Sequence, residues 1–179
     1  MANISLSVVL PAHNEEENIA NTVSDCLSYL GSNFPEYEVI VVNDGSRDRT
    51  REIVEELSSK NPSVVLVNHE VNKGYGSAVR SGFDKASLDY IFFMDSDGQF
   101  DITDLDKLVP FTGGNNVVIG YRRNRADSFI RSLNAWMYGL YIRLVFGLSV
   151  KDMDCAFKIF PTEAYHKVRP IKAGGALFS

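Results

Sequence analysis

Asp95 and Asp97 stand one residue apart in Ile91-Phe92-Phe93-Met94-Asp95-Ser96-Asp97-Gly98-Gln99, directly after four apolar residues. An unbroken apolar run fits a strand of a parallel sheet covered on both faces. Carboxylates do not enter such a core unpaired, because burying an isolated charge is very costly. The two aspartates therefore belong at the carboxyl end of the strand, the edge where open α/β sheets bind their ligands. Two hard oxygen donors there suit Mg²⁺ or Mn²⁺, and such an ion suits a phosphorylated substrate. A solvated acidic turn that opens a helix is the plainer meaning of the same pair.

Two further polar clusters follow strand-like runs: Pro11-Ala12-His13-Asn14-Glu15 and Asn43-Asp44-Gly45-Ser46. In a parallel sheet these strand ends share one edge, so the three clusters converge on one cleft. Asp44 with Gly45 suits a plain turn, and equally a carboxylate that accepts hydrogen bonds from a nucleobase edge. Asn72-Lys73-Gly74-Tyr75-Gly76-Ser77 can bring backbone N–H groups and the Lys73 cation towards phosphate. It is neither a P-loop nor a dinucleotide fingerprint, since the required Lys-Ser/Thr and third glycine are missing. Arg122, Arg123 and Arg125, with Arg131 beyond, form a basic run that is either a solvated loop or a set of guanidinium forks for phosphate. His13, His69 and His166 are scattered and read as structural rather than metal-ligating.

These clusters need strands and helices in alternation, and the sequence provides them. Strands are expected at residues 6–10, 38–42, 64–67, 90–94 and 117–119. Helices are expected from a cap at Asn14 through residue 30, with Glu15, Glu16 and Glu17 in the first turn, then around residues 53–57, 77–86 and 103–111. Such alternation implies right-handed βαβ units, hence an α/β fold with a mostly parallel central sheet, helices on both faces, and one domain over residues 1–179. Residues 128–146 carry a wide apolar face that includes Phe129, Trp136 and Phe146. It suits either a core helix or a helix lying in a membrane interface.

Composition narrows the classes. The 179 residues carry a net charge of −5, which argues against a nucleic-acid partner. Cys26 and Cys155 are the only cysteines and lack metal-ligand spacing, consistent with a reduced, cytoplasmic setting. No signal peptide or membrane-spanning run is expected.

Together, Val9-Leu10-Pro11-Ala12-His13-Asn14-Glu15, Val42-Asn43-Asp44-Gly45-Ser46, Asn72-Lys73-Gly74-Tyr75-Gly76, Asp95-Ser96-Asp97-Gly98-Gln99 and Asp152-Met153-Asp154-Cys155-Ala156-Phe157-Lys158 resemble the GT-A-fold family 2 glycosyltransferases. Within that family the chain looks most like the branch of dolichol-phosphate mannose synthase and bacterial polyprenyl-phosphate glycosyltransferases. The resemblance implies a Rossmann-like GT-A sheet and an inverting, Mg²⁺- or Mn²⁺-dependent transfer of sugar. The donor would be a UDP- or GDP-sugar and the acceptor a dolichyl or undecaprenyl phosphate, at the cytosolic face of a membrane with peripheral contact. It further implies that Pro11, His13, Glu15, Val42 and Asp44 line a nucleoside pocket, and that Asp95, Ser96, Asp97 and Gln99 hold metal and diphosphate. Arg122 and Arg131 would sit near the acceptor phosphate, and Asp152 or Asp154 would act as base or orient the acceptor. His13 stands where many relatives have tyrosine, Asn43 replaces the first of a common Asp pair, and the C-terminal part of the family domain is expected to be absent.

Two other readings stand beside this one. A haloacid-dehalogenase-type phosphatase also uses Asp-x-Asp after a strand, but with the motif near its N-terminus. A nucleotide-sugar-binding fragment without turnover would keep the cleft and lack transfer.

Overall fold

The computed structural model describes residues 4–121, 147 and 155–168. In chain order the elements are β1 (Leu6–Ala12), α1 (Ile19–Asn33), β2 (Tyr37–Asp44), α2 (Thr50–Lys60), β3 (Val64–His69), α3 (Tyr75–Lys85), β4 (Tyr90–Phe93), 3-10 turns at Ile102–Lys107 and Val109–Phe111, β5 (Val118–Ile119), β6 (Lys158–Pro161) and α4 (Thr162–Val168). One sheet runs in the order β3-β2-β1-β4-β6-β5. The β3-β2-β1-β4 half is parallel, whereas β6 pairs antiparallel with both β4 and β5.

The apolar runs of the parallel strands follow from cover on both faces. Leu6, Val8 and Leu10 point to a core shared with Ile19, Val23, Cys26 and Leu30 of α1 and Val54 of α2. Val9, Ile40, Val42, Ile91 and Phe93 point the other way, against Ala78, Val79 and Phe83 of α3 and Tyr165 of α4. The α1 positions recur at helical spacing and all four are fully buried, so this face holds α1 on the sheet. A Cβ at Gly82 would meet Val9 Cγ1 at 2.3 Å, so glycine is what lets α3 lie so close to β1 and β2.

Several expectations are corrected. β1 runs through Pro11 to Ala12 rather than stopping at Leu10. Pro11 is tolerated because its carbonyl faces the side that β4 has already left, where Ser96 Oγ donates to it at 2.7 Å and no ladder N–H is required. Helix α1 starts at Ile19, four residues late, and no acidic residue lies in its first turn. Asn14 has φ +59°, a left-handed conformation incompatible with a cap. Its amide donates to Ser46 Oγ, and the Glu15 and Glu16 amides donate to Thr50 Oγ1 and Asp48 Oδ2. Residues 14–16 therefore clasp the loop after β2 instead of opening a helix. Strand β5 is a two-residue antiparallel edge, not another parallel crossover, and the helix expected at residues 103–111 is two 3-10 turns. Strand β6 adds an element that the expected strands do not include, four residues ending at Pro161. The helix expected at residues 128–146, along with Arg122, Arg131, Asp152 and Asp154, lies outside the described residues.

Candidate active site

The carboxyl ends of β1, β2 and β4 and the turn before α3 enclose a cleft of about 390 Å³. Pro11, His13 and Glu15 come from the first strand end, Asp44 from the second, and Asp95, Ser96 and Asp97 from the third. Asn72, Gly74 and Tyr75 close it from the glycine loop. A larger hollow of about 790 Å³ runs along the outer side of α1, but Asp95 and Asp97 do not line it. The smaller cleft is where the strand ends and their carboxylates meet.

Asp44 is 2% exposed and its carboxylate is mostly engaged. Oδ1 accepts from His69 Nδ1 at 2.7 Å and from the Lys73 amide at 2.9 Å, while Oδ2 accepts from the Gly74 amide at 2.9 Å. Two of the amides expected to face phosphate thus cradle an internal carboxylate instead, and the exposed Lys73 side chain is the loop's remaining cation. The approach is close: a Cβ at Gly45, which has φ +64°, would sit 2.3 Å from the Asn72 amide nitrogen. His13 Nδ1 lies 2.8 Å from the Asp44 carbonyl and 3.2 Å from Asn72 Nδ2, and its Nε2 lies 3.3 Å from Asn14 Nδ2.

Across the cleft, Tyr75 Oη donates to Asp95 Oδ1 at 2.6 Å, a short charge-assisted bond. Asp97 Oδ1 accepts from the Gln99 amide at 3.0 Å, in a turn that Gly98 completes at φ +75°. Oδ2 of Asp97 has no hydrogen-bond partner among the described residues. The Ser96 hydroxyl is spent on the Pro11 carbonyl, and the Ser96 carbonyl accepts from Thr22 Oγ1 at 3.3 Å. Ser96 therefore pins the aspartate turn between β1 and α1, which leaves Asp95 and Asp97 facing the cleft.

No group of three or more His, Cys, Asp or Glu ligands converges among the described residues. A cation here would take Asp95 and Asp97 and fill its other positions with substrate phosphate and water. That is the habit of Mg²⁺, which is bound through one or two carboxylates plus phosphates. The donor set fits such an ion.

Of the residues singled out in the sequence, Pro11, His13, Glu15, Asp44, Asp95, Ser96 and Asp97 do come together. Val42 does not: it is fully buried under α3. Gln99 is exposed and, like the Lys73 side chain, lies outside the cleft lining. Tyr75 and His69 were not assigned to the site. Tyr75 was visible only as the residue after a glycine turn. His69 had a better signal, because it ends β3 beside the end of β2 and is the register partner of Asp44.

Residues 7–169 match the sequence profile of "Glycosyl transferase family 2". The chain is similar to a dolichyl-phosphate beta-glucosyltransferase of Saccharomyces cerevisiae, at 31% identity over 93% of this chain and 58% of the relative. It is also similar to an undecaprenyl-phosphate 4-deoxy-4-formamido-L-arabinose transferase of Pectobacterium atrosepticum, at 32% identity over 87% of this chain and 48% of the relative. Among solved structures, glucosyl-3-phosphoglycerate synthase from Mycobacterium tuberculosis in complex with uridine-diphosphate aligns with TM-score 0.66 and 27% identity, over 90% of this chain and 58% of that one. A mannosyltransferase from Pyrobaculum calidifontis in complex with GDP-Man and Mn²⁺ shares the fold, with TM-score 0.67 and 17% identity, over 95% of this chain and 48% of that one. The chain spans about half the length of the curated relatives it matches. The profile match excludes the phosphatase alternative, and the fold is the GT-A α/β sheet: the chain belongs to glycosyl transferase family 2.

Proposed function

We propose that the cleft binds a UDP-sugar together with Mg²⁺ or Mn²⁺, and that the sugar passes with inversion to a polyprenyl phosphate. The observation that carries this reading is the placement of two strand-end carboxylates, Asp95 and Asp97, opposite a nearly saturated one, Asp44.

Asp95 and Asp97 would hold the ion and, through it, the diphosphate. The bound ion supplies neutralisation of the leaving diphosphate as the sugar gains oxocarbenium character. Ser96 keeps the aspartate turn in place through its bond to Pro11. Lys73, an exposed residue between the cleft-lining Asn72 and Gly74, is proposed to reach a phosphate oxygen. A phosphate acceptor is already an anion and needs little help from a base. Arg122 and Arg131 are proposed to hold it, with Asp152 or Asp154 orienting it. A membrane lipid as acceptor would put the chain at the cytosolic face in peripheral contact. No helix among the described residues is long and apolar enough to cross a membrane.

Uridine is favoured over guanosine by counting acceptors. A carboxylate offers about four lone-pair positions, and three of those on Asp44 are taken. One position on Oδ2 remains, enough for the single ring N–H of uracil. Guanine presents two adjacent donors and would need two open acceptors. The similarity to a solved structure holding uridine-diphosphate points the same way.

The test is to incubate the chain with UDP-hexose, Mg²⁺ and dolichyl phosphate in detergent and to follow the lipid-linked sugar. A lipid product of inverted anomeric configuration, lost in Asp97→Ala, is the expected result. Tight UDP binding with no lipid product would instead assign this chain a nucleotide-sugar-binding role without turnover.

A further inference from the structure

His69 plays no part in the chemistry above, yet it is among the few buried polar residues of the described part of the chain, at 6% exposure. It ends β3 in register with Asp44 at the end of β2. Its Nδ1 lies 2.7 Å from Asp44 Oδ1 and its Nε2 lies 2.9 Å from Ser81 Oγ on α3. A carboxylate only accepts, so Nδ1 donates to Asp44, while Nε2 shares a hydrogen bond with the Ser81 hydroxyl. Ser81 precedes Gly82, the residue whose missing Cβ lets α3 sit against Val9 and Val42. The close packing of α3 thus brings the hydroxyl to the imidazole.

A continuous hydrogen-bonded chain results: Ser81 to His69, His69 to Asp44, and the Lys73 and Gly74 amides to Asp44. Hydroxyl, imidazole and carboxylate stand in the order of a nucleophilic triad. Ser81, however, does not line the cleft, so no substrate carbonyl or phosphorus can reach its oxygen there. The direction of use is the reverse, from α3 inward to the carboxylate.

We infer that His69 is a positioning residue for the nucleotide site, acting through Asp44. A carboxylate can rotate about its Cβ–Cγ bond, and one turned away from the loop catches neither amide. The bond from His69 Nδ1 fixes the carboxylate plane so that Oδ1 meets the Lys73 amide and Oδ2 the Gly74 amide. The same orientation leaves the last acceptor position of Oδ2 for the base. The glycine loop then carries Tyr75 to Asp95. The link to nucleotide binding rests on the function proposed above; the hold on the loop does not.

Three substitutions separate the two ends of the imidazole. In His69→Asn the amide nitrogen takes the place of Nδ1 and still reaches Asp44. In His69→Gln it takes the place of Nε2 and reaches Ser81 instead. His69→Leu removes both bonds. Amide hydrogen exchange of Lys73 and Gly74, read residue by residue by NMR, reports the loop directly, and calorimetric titration with UDP and Mn²⁺ reports the site. Far-UV circular dichroism selects variants that keep the fold. Exchange at both amides should speed up roughly tenfold or more in the Gln and Leu variants and stay within about threefold of the parent in the Asn variant, with UDP affinity falling in parallel. Ser81→Ala, at a half-buried helix position, should shift both readouts the same way by a smaller factor. Equal exchange in all variants, or an Asn variant as impaired as the Leu variant, would overturn the inference. The predicted exchange pattern with no UDP binding by any protein, parent included, would uphold the hold on the loop and overturn the nucleotide reading alone.

Discussion

Tyr75 and Asp95 are joined by a 2.6 Å hydrogen bond that ties the first residue of α3 to the turn after β4. The phenol can orient Asp95 towards a cation, much as outer hydrogen bonds orient metal ligands elsewhere. Tyr75→Phe keeps the ring and its edge contact with Phe93, whose centroid lies 6.2 Å away. The expected outcome is about tenfold weaker Mn²⁺ binding in the presence of UDP, with unfolding temperature unchanged. Mn²⁺ electron paramagnetic resonance titration measures this, and an unaltered affinity would remove Tyr75 from the site.

Asp97 lines the cleft with Oδ2 unpartnered among the described residues, so its loss costs the fold little. Asp97→Ala should abolish the metal dependence of nucleotide binding while leaving the unfolding transition in place. Unchanged Mn²⁺-dependent affinity in this variant would disprove the metal role.

Gly45 combines φ +64° with the backbone of residues 71 and 72 less than 3 Å from where a Cβ would stand. Gly45→Ala must strain the backbone and push the glycine loop off Asp44. A loss of about 2–3 kcal/mol in chemical unfolding is expected, with UDP affinity reduced as well. A fully stable variant would mean that the loop is not clamped there.

Burial pushes the Asp48 carboxyl up, but hydrogen bonds from the Thr50 hydroxyl and amide and from the Glu16 amide outweigh it and hold the group below its ordinary value. Because the folded-state value is depressed, this contribution is present above the ordinary carboxylate range and is lost as pH falls through the folded value. Asp48→Asn should therefore destabilise the protein near neutrality and flatten the acid limb of its stability profile. Parallel acid limbs for the two proteins would contradict this.

Cys26 is fully buried, and burial, reinforced by the charge of Asp25, pushes its thiol up to about 12. Cys155 is also buried. Both should resist a disulfide thiol reagent in the native protein and react after unfolding. Rapid native labelling of Cys26 would show that α1 opens readily.

The parallel half of the fold was legible because strands covered on both faces leave uninterrupted apolar runs, as in Val39-Ile40-Val41-Val42. The antiparallel half was not. Strand β6 is four residues ending in proline, and its identity comes from pairing with β4 rather than from its own pattern. The site was legible as a set of strand ends, since topology alone carries Pro11, Asp44 and Asp95 to one edge. The roles within it were less so. Asn14-Glu15-Glu16-Glu17 has the composition of a helix start, yet tertiary bonds to Ser46, Asp48 and Thr50 win over local preference. Val42 and Ser96 belong to motifs of the site but serve packing and the pinning of a turn. The bond from His69 to Asp44 depends on strand register, which no single segment encodes.

The central claim is a metal-dependent uridine-diphosphate site, and calorimetric titration of the chain with UDP and GDP, with and without Mn²⁺, tests it most directly. UDP should bind at least about tenfold more tightly than GDP, the loss expected when a base donor finds no acceptor, and should weaken sharply when Mn²⁺ is removed. Equal or tighter GDP binding, or a UDP affinity indifferent to Mn²⁺, would contradict the account of Asp44 or of Asp95 and Asp97 respectively.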